Sequence, residues 1–389
     1  MLAAVEARLA PISSLSTVAT DEHGAAAEIS AQIAAADGGF TILFCTAPYE
    51  LGALGRALHA LGHGRVVAAA TSRAIGRAGF LAKGVTGLHL PTGRFKVADA
   101  LIEDAAEFGL PDARALVKSL RGRLERGAEP GLSHLFGLLL VDAEAHCEER
   151  LVAALGMELG RVPIVGGSAG DDYFNPAGRR SAAARILHHG RALRGAAVFC
   201  LIACQQPVLA VCHSHYVPGR RRLVISDADP ERRMVREIDG RNALRAYAAA
   251  CGLKTVPRDA ESFSPFPLMI RIGGEYFARG IQRVFEDGSL EFACAMEPGL
   301  VVTLGRPADM RERLSGLFQS MQASLGKPEV VIAFECAART AYMEQQGLTE
   351  AIAAELKAHN VVGFATLGEQ FNTIHVNNSF TCLAVAAPQ

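Results

Sequence analysis

No charge of either sign dominates this sequence: 39 Lys and Arg stand against 40 Asp and Glu, a formal charge of −1. Such a chain has no global field to draw it to nucleic acid or anionic lipid, and no stretch interleaves basic and aromatic residues as a nucleic-acid surface requires. Arg220-Arg221-Arg222 is the one basic cluster, and after Pro218-Gly219 it reads as a solvated turn. The nine cysteines form no CxxC pair and stand singly in apolar surroundings. That pattern suits buried, reduced thiols better than disulfides or a zinc site. The lack of CxxCH excludes covalent haem attachment by motif. No apolar run approaches the roughly twenty residues of a membrane helix. Glu6 and Arg8 interrupt the Ala-rich start before a signal-peptide core can form, so a cytoplasmic location is expected.

What is present is self-similarity. Phe136–Val141 reads as a buried strand, Cys147, Leu151, Ala154, Leu155 and Leu159 recur at helical spacing, and Val162–Val165 is a second buried strand running into GGSAGDD. The same order returns near the C-terminus as Val330–Phe334, a helix with Leu348, Ile352 and Leu356 on one face, Val361–Phe364 and then ATLGEQFN. Gly170-Asp171 aligns with Gly368-Glu369, and Tyr173 aligns with Phe371 at the same offset. A weaker third copy lies upstream: Phe40–Cys45, a helix with Leu51, Leu54, Leu58 and Leu61, Val66–Ala70 and TSRAIGRAGF. Units this far apart do not suit a solenoid. The expectation is a mixed α/β fold, two lobes built from duplicated strand–helix–strand units with mixed sheets.

Between the repeats, Glu22–Ala36 is expected as a lead-in helix capped by Thr20 or Asp21. Val97–Phe108 and Asp112–Leu124 both show helical spacing, while Ile186–His189, Ala196–Ala203 and Val208–His213 read as strands. Residues 226–240 are polar and lack apolar alternation, which suggests a boundary. The expected organisation is a lead-in over 1–36, a first domain over 37–232 and a second over 233–389. Short strands from Phe266 to Leu304, separated by Gly and Asp turns, argue for an antiparallel sheet, and Ala308–Leu325 for a long amphipathic helix.

Three sets of residues could carry chemistry. GGSAGD after a buried strand invites a phosphate-loop reading, but no Lys-Ser/Thr pair or GxGxxG spacing accompanies it, and Asn175-Pro176 breaks the chain where a phosphate-binding helix should begin. A tight turn remains, or a small-ligand contact by Ser168, Gly170 and Asp171. GGSAG is not a GxSxG elbow either, so nucleophilic catalysis by Ser168 is not expected and the chain reads as a non-enzyme. His188-His189, His213 and His215 lie near cysteines. His213 and His215, two apart, would share one face of an extended strand and could converge on a metal or haem iron, the alternative being ordinary hydrogen-bonded imidazoles. In the third repeat Glu335, Cys336 and Arg339 end one strand, and Glu369, His375 and Asn377 follow the next. Adjacent strands would gather them at the carboxyl edge of a sheet, where open α/β folds bind ligands. Arg339 and Glu369 could instead simply pair across a turn.

HLFGLLLVD, EERLVAALGMELGRVPIVGGSAGDD, ALRGAAVFCLIA, REIDGRNALRAY and VVGFATLGEQFNTIHVNNSFT together resemble the N- and C-terminal halves of FIST-domain sensory proteins, over roughly residues 38–385. The resemblance implies small-ligand sensing, amino acids included. A chain of two FIST halves without a kinase or cyclase segment is similar to the NosP-type nitric-oxide-sensing haemoproteins. That likeness implies haem and regulation of a partner histidine kinase or a diguanylate cyclase or phosphodiesterase; no motif identifies the haem ligand, and His215 or His213 is the first candidate from their spacing. Carried over by motif, Ser168, Gly170 and Asp171 belong to the N-half site, and Cys336, Arg339, Glu369, His375 and Asn377 to the C-half site. A haem-free module binding an amino acid or another small polar metabolite is the alternative. Two departures stand out: Arg77 where the other repeats carry an acid, and HSHYVPG in place of a turn with HGW, in a chain without tryptophan.

Overall fold

A computed structural model describes residues 10–33, 38–126, 131–170 and 184–388. The repeats are its frame. The first comprises β1 (Ser13–Thr17), α1 (Glu22–Gln32), β2 (Phe40–Thr46), α2 (Leu51–Ala60) and β3 (Val66–Thr71), then a hairpin of β4 (Ala74–Gly76) and β5 (Gly79–Leu81), and finally β6 (Val85–Leu90). The second follows the same plan: β7 (Phe95–Ile102), α3 (Leu110–Glu125), β8 (His134–Asp142), α4 (Glu148–Leu159), β9 (Ile164–Ala169), the hairpin β10 (Ile186–His188) and β11 (Arg191–Leu193), and β12 (Ala197–Cys204). The third opens with β13 (Val208–His213) and is interrupted by an inserted lobe. That lobe contains β14 (Tyr216–Asp229), β15 (Met234–Ile238), β16 (Arg241–Asn242), α5 (Ala243–Ala250), β17 (Leu268–Ile272), β18 (Glu275–Arg279), β19 (Ile281–Val284), β20 (Leu290–Phe292) and β21 (Val301–Pro307). The repeat resumes with α6 (Met310–Leu325), β22 (Pro328–Cys336), α7 (Ala337–Gln345), α8 (Thr349–Ala358), β23 (Val361–Thr366), the hairpin β24 (Glu369–Phe371) and β25 (Ile374–Val376), and β26 (Phe380–Ala386).

Each repeat centres a six-stranded mixed sheet on its two parallel strands: β1-β6-β2-β3-β10-β11, β7-β12-β8-β9-β24-β25 and β13-β26-β22-β23-β4-β5. The last two strands of every sheet come from another repeat. β10–β11 of the second pairs with β3 of the first, β24–β25 of the third with β9 of the second, and β4–β5 of the first with β23 of the third. The hairpins are thus exchanged in a closed cycle. Parallel strands need cover on both faces, and the sequence supplies it: every residue of β2, β9 and β23 is buried. Their inner faces meet in one core, with Phe40, Phe44, Phe136, Leu138, Phe334 and Phe364 drawn from all three repeats. Phe44 and Phe364 stack across repeats at 4.8 Å between ring centroids. Helices α1 and α2 cover the first outer face, α3 and α4 the second, and α6 and α8 the third.

The inserted lobe is an antiparallel sheet, β18-β17-β21-β14-β15-β20-β19 with β16 on β15, wrapped around α5 with a core of its own. The architecture is mixed α/β with two lobes, and eight α-helices are present among the described residues. None of the described helices is long and apolar enough to cross a membrane.

Three local expectations are corrected. Val97–Phe108 is not a helix: its first part is β7, paired with β12 from Phe95–Cys204 through to Ile102–Ala197. Its apolar residues satisfy both periods, and the long-range partner decides between them. Residues 226–240 are the arms of the β14–β15 hairpin, polar because they lie on the lobe's solvent side, and the 232/233 boundary falls next to its turn, where Arg233 has a φ of 54°. Arg220–Arg222 lies within β14, exposed where the register slips between Pro218 and Arg222, and not in a separate turn.

Candidate functional site

The carboxyl ends of β9 and β23 are stitched together: Ser168 N donates to Gly368 O at 2.8 Å and Leu367 N donates to Ser168 O at 3.0 Å. Gly368 is required at this corner. Its φ is +140°, and a Cβ there would lie 2.3 Å from His375 Cε1 and 3.1 Å from Asn377 Nδ2. The imidazole and the amide therefore rest directly on the backbone that joins the two repeats.

Around the corner lies a buried polar network. Glu369 accepts from Thr366 Oγ1 and Ser379 Oγ, each at 2.5 Å, and from Ser379 N at 3.3 Å. Burial nevertheless raises its acid to about 8, the Glu335 charge adding to the rise against the pull of those hydrogen bonds. Arg339, fully buried, donates through Nε to Glu335 Oε1 at 2.5 Å and places NH1 3.2 Å from His215 Nδ1. Burial raises the Glu335 acid against the pull of that guanidinium. The pairing of Arg339 with Glu369 considered from sequence is therefore not made: the partner is Glu335, one helical turn earlier. Gln370 Nε2 donates to Ser168 Oγ at 2.9 Å and lies 3.4 Å from His375 Nδ1. Ser168 Oγ in turn donates to Glu148 Oε1 at 3.2 Å. Glu148 and Glu149 open α4, and Arg233 from the inserted lobe holds both, at 2.6 and 2.7 Å. One line of polar contacts thus joins the second repeat, the third and the lobe.

A cleft between the body and the lobe leads to this network. Its main cavity, about 570 Å³, has α7 residues Ala338, Ala341 and Gln345 on one wall and Tyr247, Ser264, Gln282 and Arg283 of the lobe on the other. A neighbouring cavity of about 250 Å³ shares Gln282, Arg283 and Leu367 with it and is ionic, lined by Glu144, His146, Glu148, Arg185 and Arg233. A small recess of about 30 Å³ beside Cys336, Ala337 and Thr366 reaches Asn377, which also borders a cavity of about 320 Å³ on its other side. Asn377 is buried, and neither of its side-chain polar atoms has a hydrogen-bond partner among the described residues. The recess also meets the start of α7, whose N-cap, Cys336, makes no side-chain capping bond. The positive end of a helix dipole at a cavity wall favours an anionic group.

Of the residues singled out from sequence, Ser168, Cys336, Arg339, Glu369, His375 and Asn377 are brought together here. Gly170 instead bridges to Thr71 and donates to Ala70 O at 3.1 Å, an architectural contact with the first repeat. Asp171 lies outside the described residues. β13 ends at His213, so strand alternation does not carry His215 onto the face of His213. His215 is fully buried, with the rings of Tyr216 and Tyr342 at 3.9 and 4.8 Å. Burial and then the Arg339 charge lower both imidazoles, His213 to about 3 and His215 to about 2, so both are neutral. His215 Nε2 has no partner among the described residues, but the ring is enclosed by its aromatic neighbours and the cavities of the cleft are lined by other residues. The pair does not fit a haem iron in this arrangement. Sequence reasoning missed Gln370, Ser379 and Arg233, whose roles arise from pairing between distant strands. Glu148 and Glu149 carried a usable signal as acids in the first turn of a helix.

A buried polar cluster opening into an interlobe cleft is the build of a small-ligand-binding protein. Residues 39–241 match the FIST N domain and residues 243–372 the FIST C domain. The chain belongs to the FIST family, whose domains are small-ligand sensory domains of signalling proteins. No curated protein matches significantly. Among solved structures, a cyanuric acid hydrolase from A. caulinodans is similar at 9% identity, over 97% of this chain and 99% of that one, with a TM-score of 0.39.

Proposed function

We propose that this chain is a cytoplasmic sensor, not an enzyme, that binds a small polar metabolite of the amino-acid type in the cleft and relays its ligand state to a histidine kinase or a cyclic-di-GMP enzyme. The observation that carries this reading is Asn377, a buried amide with both polar atoms unpartnered at the cavity wall, since native proteins rarely leave such groups unsatisfied. Charge lines the adjoining cavities. The start of α7 and Arg283 suit a carboxylate, and Glu261 along the same cleft suits an ammonium group. Relay follows from where the walls come from. One is the body and the other the lobe, so a ligand that touches both favours one placement of the lobe, provided it binds that placement more tightly.

A thermal-shift screen of amino acids and small carboxylates tests the proposal. A ligand at a hundredfold excess over its Kd stabilises the native state by about 2.7 kcal/mol, and Asn377→Ala and Arg283→Ala should each abolish most of the shift. Hits that persist undiminished in both variants would place the site elsewhere. A Soret band that moves with nitric oxide after haem reconstitution would favour the haem-based sensing implied by the likeness to NosP-type proteins.

A further inference from the structure

Outside the cleft, three ligand-type side chains meet where the first and second sheets adjoin. Asp99 lies on β7 of the second sheet with its carboxylate buried, while His188 ends β10, which pairs with β3 of the first sheet. Consecutive strand residues point to opposite faces, so adjacent histidines do not ordinarily share a partner. The turn after β10 changes that. His189 has a φ of 48° and Gly190 of 86°, the left-handed pair of a two-residue hairpin, which is unusual for a residue with a bulky side chain. The reversal folds His189 back beside His188, with ring centroids 4.0 Å apart, and both Nε2 atoms come within 2.7 Å of the same oxygen, Asp99 Oδ2.

We infer that Asp99, His188 and His189 form a binding site for a divalent metal of the zinc class, bridging the first and second sheets. The three ligand atoms lie within 4.8 Å of one another. Zinc bonds of about 2.0–2.1 Å at tetrahedral angles put ligand atoms roughly 3.3 Å apart, so each Nε2–Oδ2 contact, now 2.7 Å, has to open by about 0.6 Å. Two imidazoles and a carboxylate suit zinc, cobalt or ferrous iron over magnesium or calcium, and three protein ligands leave a position open. Asp99 Oδ1 is occupied from the other side by Arg65 and Arg123, at 3.6 and 3.8 Å, which fixes the carboxylate and leaves one oxygen for the metal. Both arginines are partly exposed, so water screens their charge. A metal bonding at each Nε2 requires the neutral imidazole with its proton on Nδ1, and any proton held at Nε2 shifts there or is released to solvent.

Titration of the metal-stripped full chain with Co²⁺, followed by its visible d–d absorption, and with Zn²⁺ in competition, tests the site. One equivalent is expected to bind, with affinity reduced at least tenfold in Asp99→Asn and in His189→Asn, and unchanged in His23→Ala. Both site variants keep the fold within reach, since Asn is isosteric with Asp and tolerates positive φ, and unaltered circular dichroism verifies this before titration. No stoichiometric binding by the wild type, or equal binding by both folded variants, would overturn the inference.

Discussion

Glu369 is a carboxyl group carried into a core, where it accepts from two hydroxyls and a backbone amide. Its acid stands at about 8 against an ordinary 4.5, chiefly through burial, with the nearby Glu335 adding to the rise. In the native state it keeps its proton over a range where the unfolded chain has lost its own, so the unfolded state binds fewer protons and stability falls as pH rises. The contribution is complete below about 4.5 and is lost as pH climbs through about 8. Between about pH 5.5 and 7 the loss attributable to this residue should approach about 1.4 kcal/mol per unit, falling off as pH passes 8, and Glu369→Gln should flatten it. Urea denaturation of both proteins across that range measures the difference, and parallel curves would mean that Glu369 is ionised in the fold. At this scale the sequence was partly legible. Cys336, Arg339, Glu369, His375 and Asn377 could be grouped because each follows the end of a repeated strand. The partners were less legible: Glu335 and Arg339 are a local pair four residues apart that the spacing itself offered, whereas that Ser168 meets Gln370 depends on backbone register set by distant pairing.

Helix α4 shows how an element can be read correctly while its packing stays hidden. Its apolar spacing predicts the helix, yet nothing local announces that Gly156 lies against the β24–β25 turn of another repeat, where a Cβ would come 2.6 Å from Thr373 Cγ2 and 2.9 Å from Asn372 O. Gly316 in α6 has no atom within 4 Å of the same construction point. Alanine is favoured over glycine inside a helix by about 1 kcal/mol. Gly316→Ala should therefore stabilise by up to that amount, and Gly156→Ala should destabilise by about 1–3 kcal/mol, the usual penalty of overpacking. Opposite signs in chemical denaturation are the expected result. A stabilising Gly156→Ala would show that the turn yields freely and that α4 is not held against the exchanged hairpin. β7 carries the converse lesson. Its spacing served helix and strand alike, and pairing with β12, about a hundred residues away in sequence, decided the matter.

For the whole molecule the strand–helix–strand repeats were legible in the sequence, but their cyclic exchange of hairpins was not, because the partner of each hairpin lies in a different repeat and no local pattern encodes it. The exchange has a consequence for how the chain can be divided. The two family segments meet between residues 241 and 243, inside the lobe and just where β16 leads into α5. A fragment of residues 10–241 would keep β4–β5 without β23, and β9 without β24–β25, leaving unpaired strand edges and uncovering the face of the shared core that the third repeat closes. The lobe, by contrast, leaves the body and returns at one point: Tyr216 pairs with Pro307, and Ala308 N donates to His215 O at 2.9 Å. Replacing residues 216–307 with a short Gly/Ser linker should therefore leave a body that unfolds in one cooperative transition, with all three sheets intact and binding at the cleft abolished. The 10–241 fragment should show no cooperative transition and should aggregate or expose apolar surface to a reporter dye. Thermal denaturation followed by near-ultraviolet circular dichroism distinguishes the two. A fragment that melts cooperatively as a monomer would mean that the exchanged hairpins decorate independent units; its failure beside a folded lobe-less body would mean that three interlocked repeats are the smallest folding unit, with the sensory cleft added where the lobe rests against them.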